Sequence, residues 1–139
     1  YSLISSERNY TFIIRFLGIF YAYFLLGLVL QWIFTPISAS ADFGFIFNEL
    51  ASDAQNALLR DFTSFFVATF IFSVLGAITL NPAWFFSAGI VYFGAGIFNL
   101  IAIYAHGTGF NQIFISEFIL GAWPTALALT IIIKERKFI

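Results

Sequence analysis

Long apolar stretches alternate with short polar intervals along the whole chain. Residues 16–41 and 62–80 carry no charge, and Glu117 is the single charge between Asn81 and Ile133. An apolar stretch of about 20 residues is long enough to cross a bilayer as an α-helix. The pattern predicts four membrane-spanning helices, over roughly residues 10–34, 57–80, 83–104 and 111–133.

Turn-forming residues separate these helices. Thr35-Pro36 ends the first helix, because proline lacks a backbone donor and restricts the residue before it. Asn81-Pro82 predicts a tight hairpin of the second and third helices, and His106-Gly107-Thr108-Gly109 predicts a turn before the fourth. Pro124 lies inside the fourth helix, where we expect it to cause a kink and to leave a carbonyl that a neighbouring helix satisfies.

The connector over residues 36–57 is the longest polar interval. Aromatic and aliphatic residues alternate there with Asp42, Glu49 and Asp53. Two interpretations stay open. The segment is either amphipathic, lying at the interface or folding over the mouth of the bundle, or an irregular loop.

Composition fixes the fold class. The chain has 139 residues, of which 61% are hydrophobic and 9% charged. A soluble domain of this size cannot bury so much apolar surface, and ordinary soluble domains carry about 25% charge. We therefore expect an all-α integral membrane protein, a four-transmembrane-helix bundle that forms a single membrane domain over residues 1–139.

Charge and residue usage also exclude some partners. The net charge of −1 provides no basic field for nucleic acid. The chain has no cysteine and one histidine, which excludes disulfides and thiolate chemistry and leaves no plausible metal site. The 21 phenylalanines suit contact with lipid, and they also suit the walls of a site for a flat ligand.

Small residues predict where helices approach each other closely. Gly18 and Ala22 form a small-xxx-small pair, and Gly89, Gly94 and Gly96 lie on the third helix. Room for a ligand is the alternative explanation of these glycines. Trp32 lies near the end of the first span, where an interfacial aromatic residue is expected.

The basic residues predict the orientation in the membrane. Four spans place both termini on one side, together with Arg8, Arg15, Lys134, Arg136 and Lys137. The other side has Arg60 alone. By the positive-inside rule, we expect both termini in the cytoplasm and the connector outside, in a multi-pass protein of the bacterial inner membrane.

Five residues form the predicted polar cluster on the outer side: Arg60, Asp61, Asn99, His106 and Glu117. Glu117 lies roughly 9 Å below the start of its helix at 1.5 Å per residue. A carboxylate facing lipid at that depth is costly, so we expect it to face the bundle and to pair with Arg60. Glu49 and Asp53 are expected to contribute as a lid.

The polar cluster has two interpretations. It either holds the second and fourth helices together or lines a pocket that opens to the outer leaflet. We expect His106, in its glycine-flanked turn, to be an ordinary surface histidine.

These features, in their order, resemble a known family. They are Leu59-Arg60-Asp61-Phe62, the Leu80-Asn81-Pro82 hairpin, the glycine turn after His106, and Glu117. Over residues 10–134 they look like an uncharacterised bacterial family of small four-helix inner-membrane proteins, distantly similar to the DoxX-like proteins. The resemblance implies the same fold and a polar cluster at Arg60, Asp61 and Glu117. Asp61 replaces a usual glutamate, and Asn99 replaces a common arginine.

The sequence identifies no reaction but favours one class of function. This is a non-catalytic accessory or structural subunit that packs against partner helices, in a larger membrane complex or a homo-oligomer, and binds lipid, quinone or pigment. The alternative is a membrane enzyme or binding protein for a lipid-like ligand. Glu117 or Asp61 would then serve as acid or base, and Arg60 would orient the ligand. A small transporter is a weaker third possibility, because four spans need oligomerisation to form a path.

Overall fold

The computed structural model describes residues 2–110 and 112–135, with the backbone alone for residues 2–4. Every regular element in these residues is helical: α1 (Ser2–Phe34), α2 (Pro36–Asp42), a 3-10 turn (Phe47–Glu49), α3 (Ser52–Thr79), α4 (Pro82–His106) and α5 (Ile113–Glu135). Four of them, α1, α3, α4 and α5, have the length and apolarity of membrane spans. The prediction of an all-α chain with four helices that could cross a membrane is confirmed for the described residues.

Two of the helices start earlier than their apolar stretches. α1 begins at Ser2 rather than near residue 10, and α3 begins at Ser52 rather than near residue 57. Hydropathy marks the part of a helix that suits lipid, whereas polar residues with adequate helix propensity extend the same helix beyond it. Asp53 in the first turn of α3 also favours this start, because a negative charge stabilises the N-terminus of a helix.

The four long helices run antiparallel to their neighbours and associate as two pairs. α1 packs along α3, and α4 packs along α5, with fewer contacts between the pairs. Trp32 near the end of α1 stacks on Phe62 in the first half of α3, with ring centroids 4.5 Å apart. We call the end that contains α2 the connector end, and the end that contains the α3–α4 turn the turn end.

The α3–α4 turn combines an uncommon backbone conformation at Leu80 with a favourable start of α4 at Asn81-Pro82. Leu80 adopts a left-handed conformation with φ 52°, and its N–H donates to the Gly76 carbonyl at the end of α3. Asn81 then caps α4, because its side-chain oxygen accepts from the Ala83 N–H at 3.1 Å. Pro82 occupies the first turn of α4, where a missing N–H costs nothing. The predicted hairpin is present.

A compact core fills the turn end. Its centre is Phe85, which is fully buried and whose ring lies where Gly18 and Gly76 have no side chain. A Cβ on Gly18 would lie 3.1 Å from the Ala77 Cβ and 2.8 Å from the Phe85 ring. The close approach predicted from Gly18 and Ala22 is therefore present, and both residues are buried.

The connector folds back over the ends of α1 and α3. Ala39 and Ser40 of α2 are buried, and the Phe43 ring packs against those of Trp32 and Phe62 at 5.8 and 4.8 Å. Residues 36–42 are therefore helical and cover the mouth of the bundle. The expected depth of Trp32 at the membrane interface stays a prediction, but the side chain faces the protein rather than lipid. Its side chain is 1% exposed because the connector encloses it.

Candidate functional site

A cavity of about 460 Å³ lies between the two helix pairs in the half of the bundle nearer the connector end. All four long helices and α2 contribute to its wall. The lining residues are Phe24, Leu28, Gln31, Asp42, Phe43, Asp61, Phe62, Phe65, Phe66, Tyr92, Ala95, Ile113, Ser116, Glu117 and Leu120. The walls are mainly apolar, and six of these residues carry aromatic rings.

A buried hydrogen bond closes the cavity towards the middle of the bundle. The Tyr92 hydroxyl of α4 lies 2.9 Å from the Thr69 hydroxyl of α3, and both residues are buried. Thr69 also lies within bonding distance of the Phe65 and Phe66 carbonyls, at 3.1 and 3.2 Å. The polar groups here are satisfied by protein, so this part of the wall presents ring faces and edges to the cavity.

Tyr21 and Pro124 join α1 to α5 beside the cavity. Proline has no N–H, so Pro124 leaves the carbonyl of Leu120, four residues earlier, without its helical partner. The Tyr21 hydroxyl donates to that carbonyl at 2.6 Å. The expectation that a neighbouring helix satisfies the freed carbonyl is confirmed. Beyond this joint, towards the connector end, Phe24 of the cavity wall is 53% exposed.

Three carboxylates line the cavity at its connector end, one from each of three different helices. Asp42 of α2 accepts from the Gln31 side-chain amide of α1 at 3.2 Å. Glu117 of α5 accepts from the Asn99 amide of α4 at 3.3 Å. Asp61 of α3 accepts from the Arg60 guanidinium at 2.8 Å. We call Asp42, Asp61 and Glu117 the rim carboxylates.

The predicted Arg60–Glu117 ion pair is wrong for the described residues. Arg60 pairs with Asp61, and the two side chains are 65% and 66% exposed. Consecutive residues of a helix point in directions about 100° apart. Asp61 therefore lines the cavity while Arg60 lies outside it, and the long Arg60 side chain reaches its neighbour rather than α5.

The other predicted site residues divide between the cavity and the surface. Asn99 lies behind Glu117 and holds it by the amide hydrogen bond, without lining the cavity itself. His106 is exposed at the end of α4, in agreement with the surface interpretation. Glu49 and Asp53, expected as a lid, are exposed and lie outside the wall.

Sequence reasoning missed Gln31, Asp42, Tyr92 and Ser116. Gln31 carried a usable signal, because it is an amide side chain within an otherwise apolar part of the first span. Asp42 could not be chosen over Glu49 and Asp53, because the fold of the connector decides which acid faces inwards. Tyr92 and Ser116 are indistinguishable in the sequence from packing residues.

The arrangement is chemically suited to binding an amphipathic molecule. Aromatic and aliphatic walls accept an apolar group, and the rim carboxylates with their amide partners accept hydrogen bonds or positive charge. Among residues 2–110 and 112–135, no group of three or more His, Cys, Asp and Glu side chains could hold a metal ion.

A comparison of the chain with protein-family profiles, with curated proteins and with solved structures found no match. The resemblance to the DoxX-like proteins therefore stays a prediction.

Proposed function

We propose that this chain is a non-catalytic membrane protein that binds an amphipathic, lipid-like molecule in the cavity between its helix pairs. The observation that carries the proposal is the cavity itself, about 460 Å³ with mainly apolar walls and a polar rim. Ligand sites in proteins typically measure about 300–1,000 Å³ and combine apolar walls with a few placed polar groups. A bundle held together only by packing has no need of such a space.

The cavity is accessible from the side of the bundle. α1 and α5 have few contacts, of which the Tyr21–Leu120 hydrogen bond and the stacked Phe20 and Trp123 rings, 5.8 Å apart, are the clearest. On the connector side of these two contacts, the exposed Phe24 borders both the cavity and the outer surface. A molecule already dissolved in the bilayer would enter by this route without crossing water.

The proposal includes the location. We propose that the protein lies in a bacterial inner membrane with both termini in the cytoplasm, which places the cavity in the outer half of the bilayer. The unequal distribution of Lys and Arg between the two ends of the bundle supports this orientation.

Filling the cavity tests the binding function. Ala95 lines the cavity on α4, and Ala95→Phe should occupy much of the space. Ala105 is exposed on the same helix, so Ala105→Phe is the matched control. The proteins are extracted with surrounding bilayer into polymer-bounded discs, and bound small molecules are identified by mass spectrometry after removal of the loosely associated lipids. We expect one amphiphile to be retained by the wild type and the control and lost from Ala95→Phe.

Two outcomes would contradict the binding function. Equal retention by Ala95→Phe and the wild type would show that the amphiphile lies elsewhere. A wild type that retains nothing beyond bulk lipid would leave the cavity without a ligand. Thermal unfolding of each variant shows whether a loss reflects misfolding instead.

An accessory-subunit function is the second candidate, and exposed aromatic residues on α1 favour it. Phe12, Phe16 and Phe20 stack in a row with centroids 6.2 and 6.4 Å apart, and each side chain is more than half exposed. Such a row suits a partner helix or a second copy of the chain. The same discs report on this function, because a stable partner raises the particle mass above that of one 15.6 kDa chain plus its lipid.

A further inference from the structure

The charge at the rim of the cavity is not balanced by the protein. Asp61 is neutralised by Arg60, but Asp42 and Glu117 each have a neutral amide as partner. Among the described lining residues there is no Lys, Arg or His. Neither carboxylate therefore has a counter-charge among the described lining residues. Asp42 is exposed, whereas Glu117 is partly buried, so Glu117 is the more costly of the two to leave without a cation.

The aromatic lining favours the same kind of partner. Phe43 and Phe62 lie at the connector end of the cavity, and Phe24, Phe65, Phe66 and Tyr92 complete the set of rings. The Phe62 and Phe43 rings meet edge to face at 4.8 Å, and the Phe65 and Tyr92 rings at 5.0 Å. Aromatic faces attract organic cations through the ring quadrupole, and most strongly where water is excluded.

We propose that the ligand is a lipophilic organic cation, an ammonium-bearing molecule with an apolar chain or ring system. Its positive group lies between Asp42 and Glu117, and its apolar part lies among the aromatic rings towards Tyr92. This inference rests on the proposed function, because it names the class of molecule that the cavity binds. Anionic lipid headgroups are disfavoured at this site by the same two carboxylates.

Two probes of equal chain length separate charge from apolarity. Dodecyltrimethylammonium is a cation with an apolar tail, and dodecanol has the same tail with a neutral hydroxyl. Each is titrated calorimetrically into the full chain in dodecyl maltoside micelles, which carry no charge. We expect the cation to bind about tenfold more tightly or better, the scale that a cation–π interaction and attraction to a nearby carboxylate provide.

Paired substitutions then test the assignment of the two carboxylates. Asp42→Asn with Glu117→Gln removes both unbalanced charges, and with them the attraction to the ammonium group. The change should weaken dodecyltrimethylammonium binding about tenfold or more, with little change for dodecanol. Glu49→Gln with Asp53→Asn makes the same change in net charge at the same end of the bundle, but at exposed residues outside the wall. This control should bind both probes as the wild type does.

The outcomes separate the two proposals. Equal affinity for both probes, or an unchanged affinity for the cation in the Asp42/Glu117 variant, would overturn the cation assignment while leaving the cavity as a binding site. If neither probe bound the wild type, or if Ala95→Phe bound both as tightly as the wild type, the proposed function itself would fail.

Discussion

Glycines on one helix have different surroundings although their sequence context is similar. A Cβ on Gly89 would collide with the Thr125 hydroxyl and lie 3.2 Å from the Gly121 carbonyl oxygen, and one on Gly96 would lie 2.7 Å from the Phe118 ring. At Gly94 no atom lies within 4 Å of the same position. The packing interpretation therefore holds for Gly89 and Gly96 and not for Gly94.

The same substitution at two of these glycines should have opposite effects. Gly89→Ala inserts a methyl group against Thr125, whose hydroxyl donates to the Gly121 carbonyl at 2.7 Å. We expect it to lower the free energy of unfolding by about 1–3 kcal/mol, as overpacking does. Gly94→Ala should raise it by up to about 1 kcal/mol, because alanine loses less conformational freedom on forming a helix. Unfolding in mixed detergent micelles measures both.

Thr125→Ala provides the control for this pair. It removes the atom that the new methyl group meets, so Gly89→Ala should cost less in that background. A loss of equal size at Gly89 and Gly94 would contradict the packing assignment.

The rim residues show which part of the site a sequence can predict. Asp61 and Glu117 were predicted as site residues because charges are rare and conspicuous in apolar helices, and both line the cavity. The partners could not be predicted in the same way. Which of Arg60 and Asp61 faces inwards depends on a helix rotation of about 100°, and packing against other helices sets that rotation.

At the scale of elements, α5 depends on α1 for one of its backbone hydrogen bonds. Pro124 is buried, and the Leu120 carbonyl that it leaves free accepts from Tyr21. Thr125 Oγ1 donates to the next carbonyl, that of Gly121, so side chains satisfy two successive carbonyls of the turn before Pro124. Leu120 also lines the cavity. The Tyr21–Leu120 hydrogen bond therefore holds α1 and α5 together at the border of the cavity.

A double-mutant cycle measures this joint. Tyr21→Phe leaves the Leu120 carbonyl without a donor and should lower the free energy of unfolding by about 1–3 kcal/mol. Pro124→Ala restores a backbone N–H at residue 124, which can donate to the same carbonyl in a regular helix. In that background Tyr21→Phe should cost about 1 kcal/mol less, a coupling typical of residues in direct contact.

The cycle has a clear contrary result. Tyr21→Phe would then lower the free energy of unfolding by the same amount with proline or with alanine at residue 124. That result would show that the Tyr21 hydroxyl does not stabilise the protein by donating to the Leu120 carbonyl.

The connector shows why short elements resist prediction. α2 has seven residues, less than two complete turns at 3.6 residues each, so its apolar periodicity could not be distinguished from a loop. Its position depends on Ala39 and Ser40, which are buried, and on Phe43 meeting Trp32 and Phe62. These contacts join α2 and Phe43 to residues elsewhere in the chain, so the sequence around α2 does not indicate its position.

At the scale of the molecule, hydropathy predicted the number of spans but not their arrangement. Between 22% and 33% of the residues in the most apolar window of each long helix are buried inside the bundle. Lipid accepts apolar side chains as readily as a protein core does, so the pattern does not distinguish inward from outward faces. The pairing of α1 with α3 and of α4 with α5, and the cavity between the pairs, therefore could not be read from the sequence.

The absence of cysteine from the chain allows its orientation to be measured with single introduced cysteines. Ser6 lies at the turn end of α1, whereas Asn48 and Thr108 lie at the connector end, and all three are exposed. In a bacterial host, we expect a membrane-impermeant maleimide added to intact cells to label Asn48→Cys and Thr108→Cys but not Ser6→Cys. Ser6→Cys should react only after the cells are opened, because the basic residues near the termini favour the cytoplasm.

The reverse pattern would contradict the orientation but keep four spans. Labelling of Ser6→Cys and Thr108→Cys from the same side would contradict the spans themselves, and with them lateral entry of a ligand from the outer half of the bilayer.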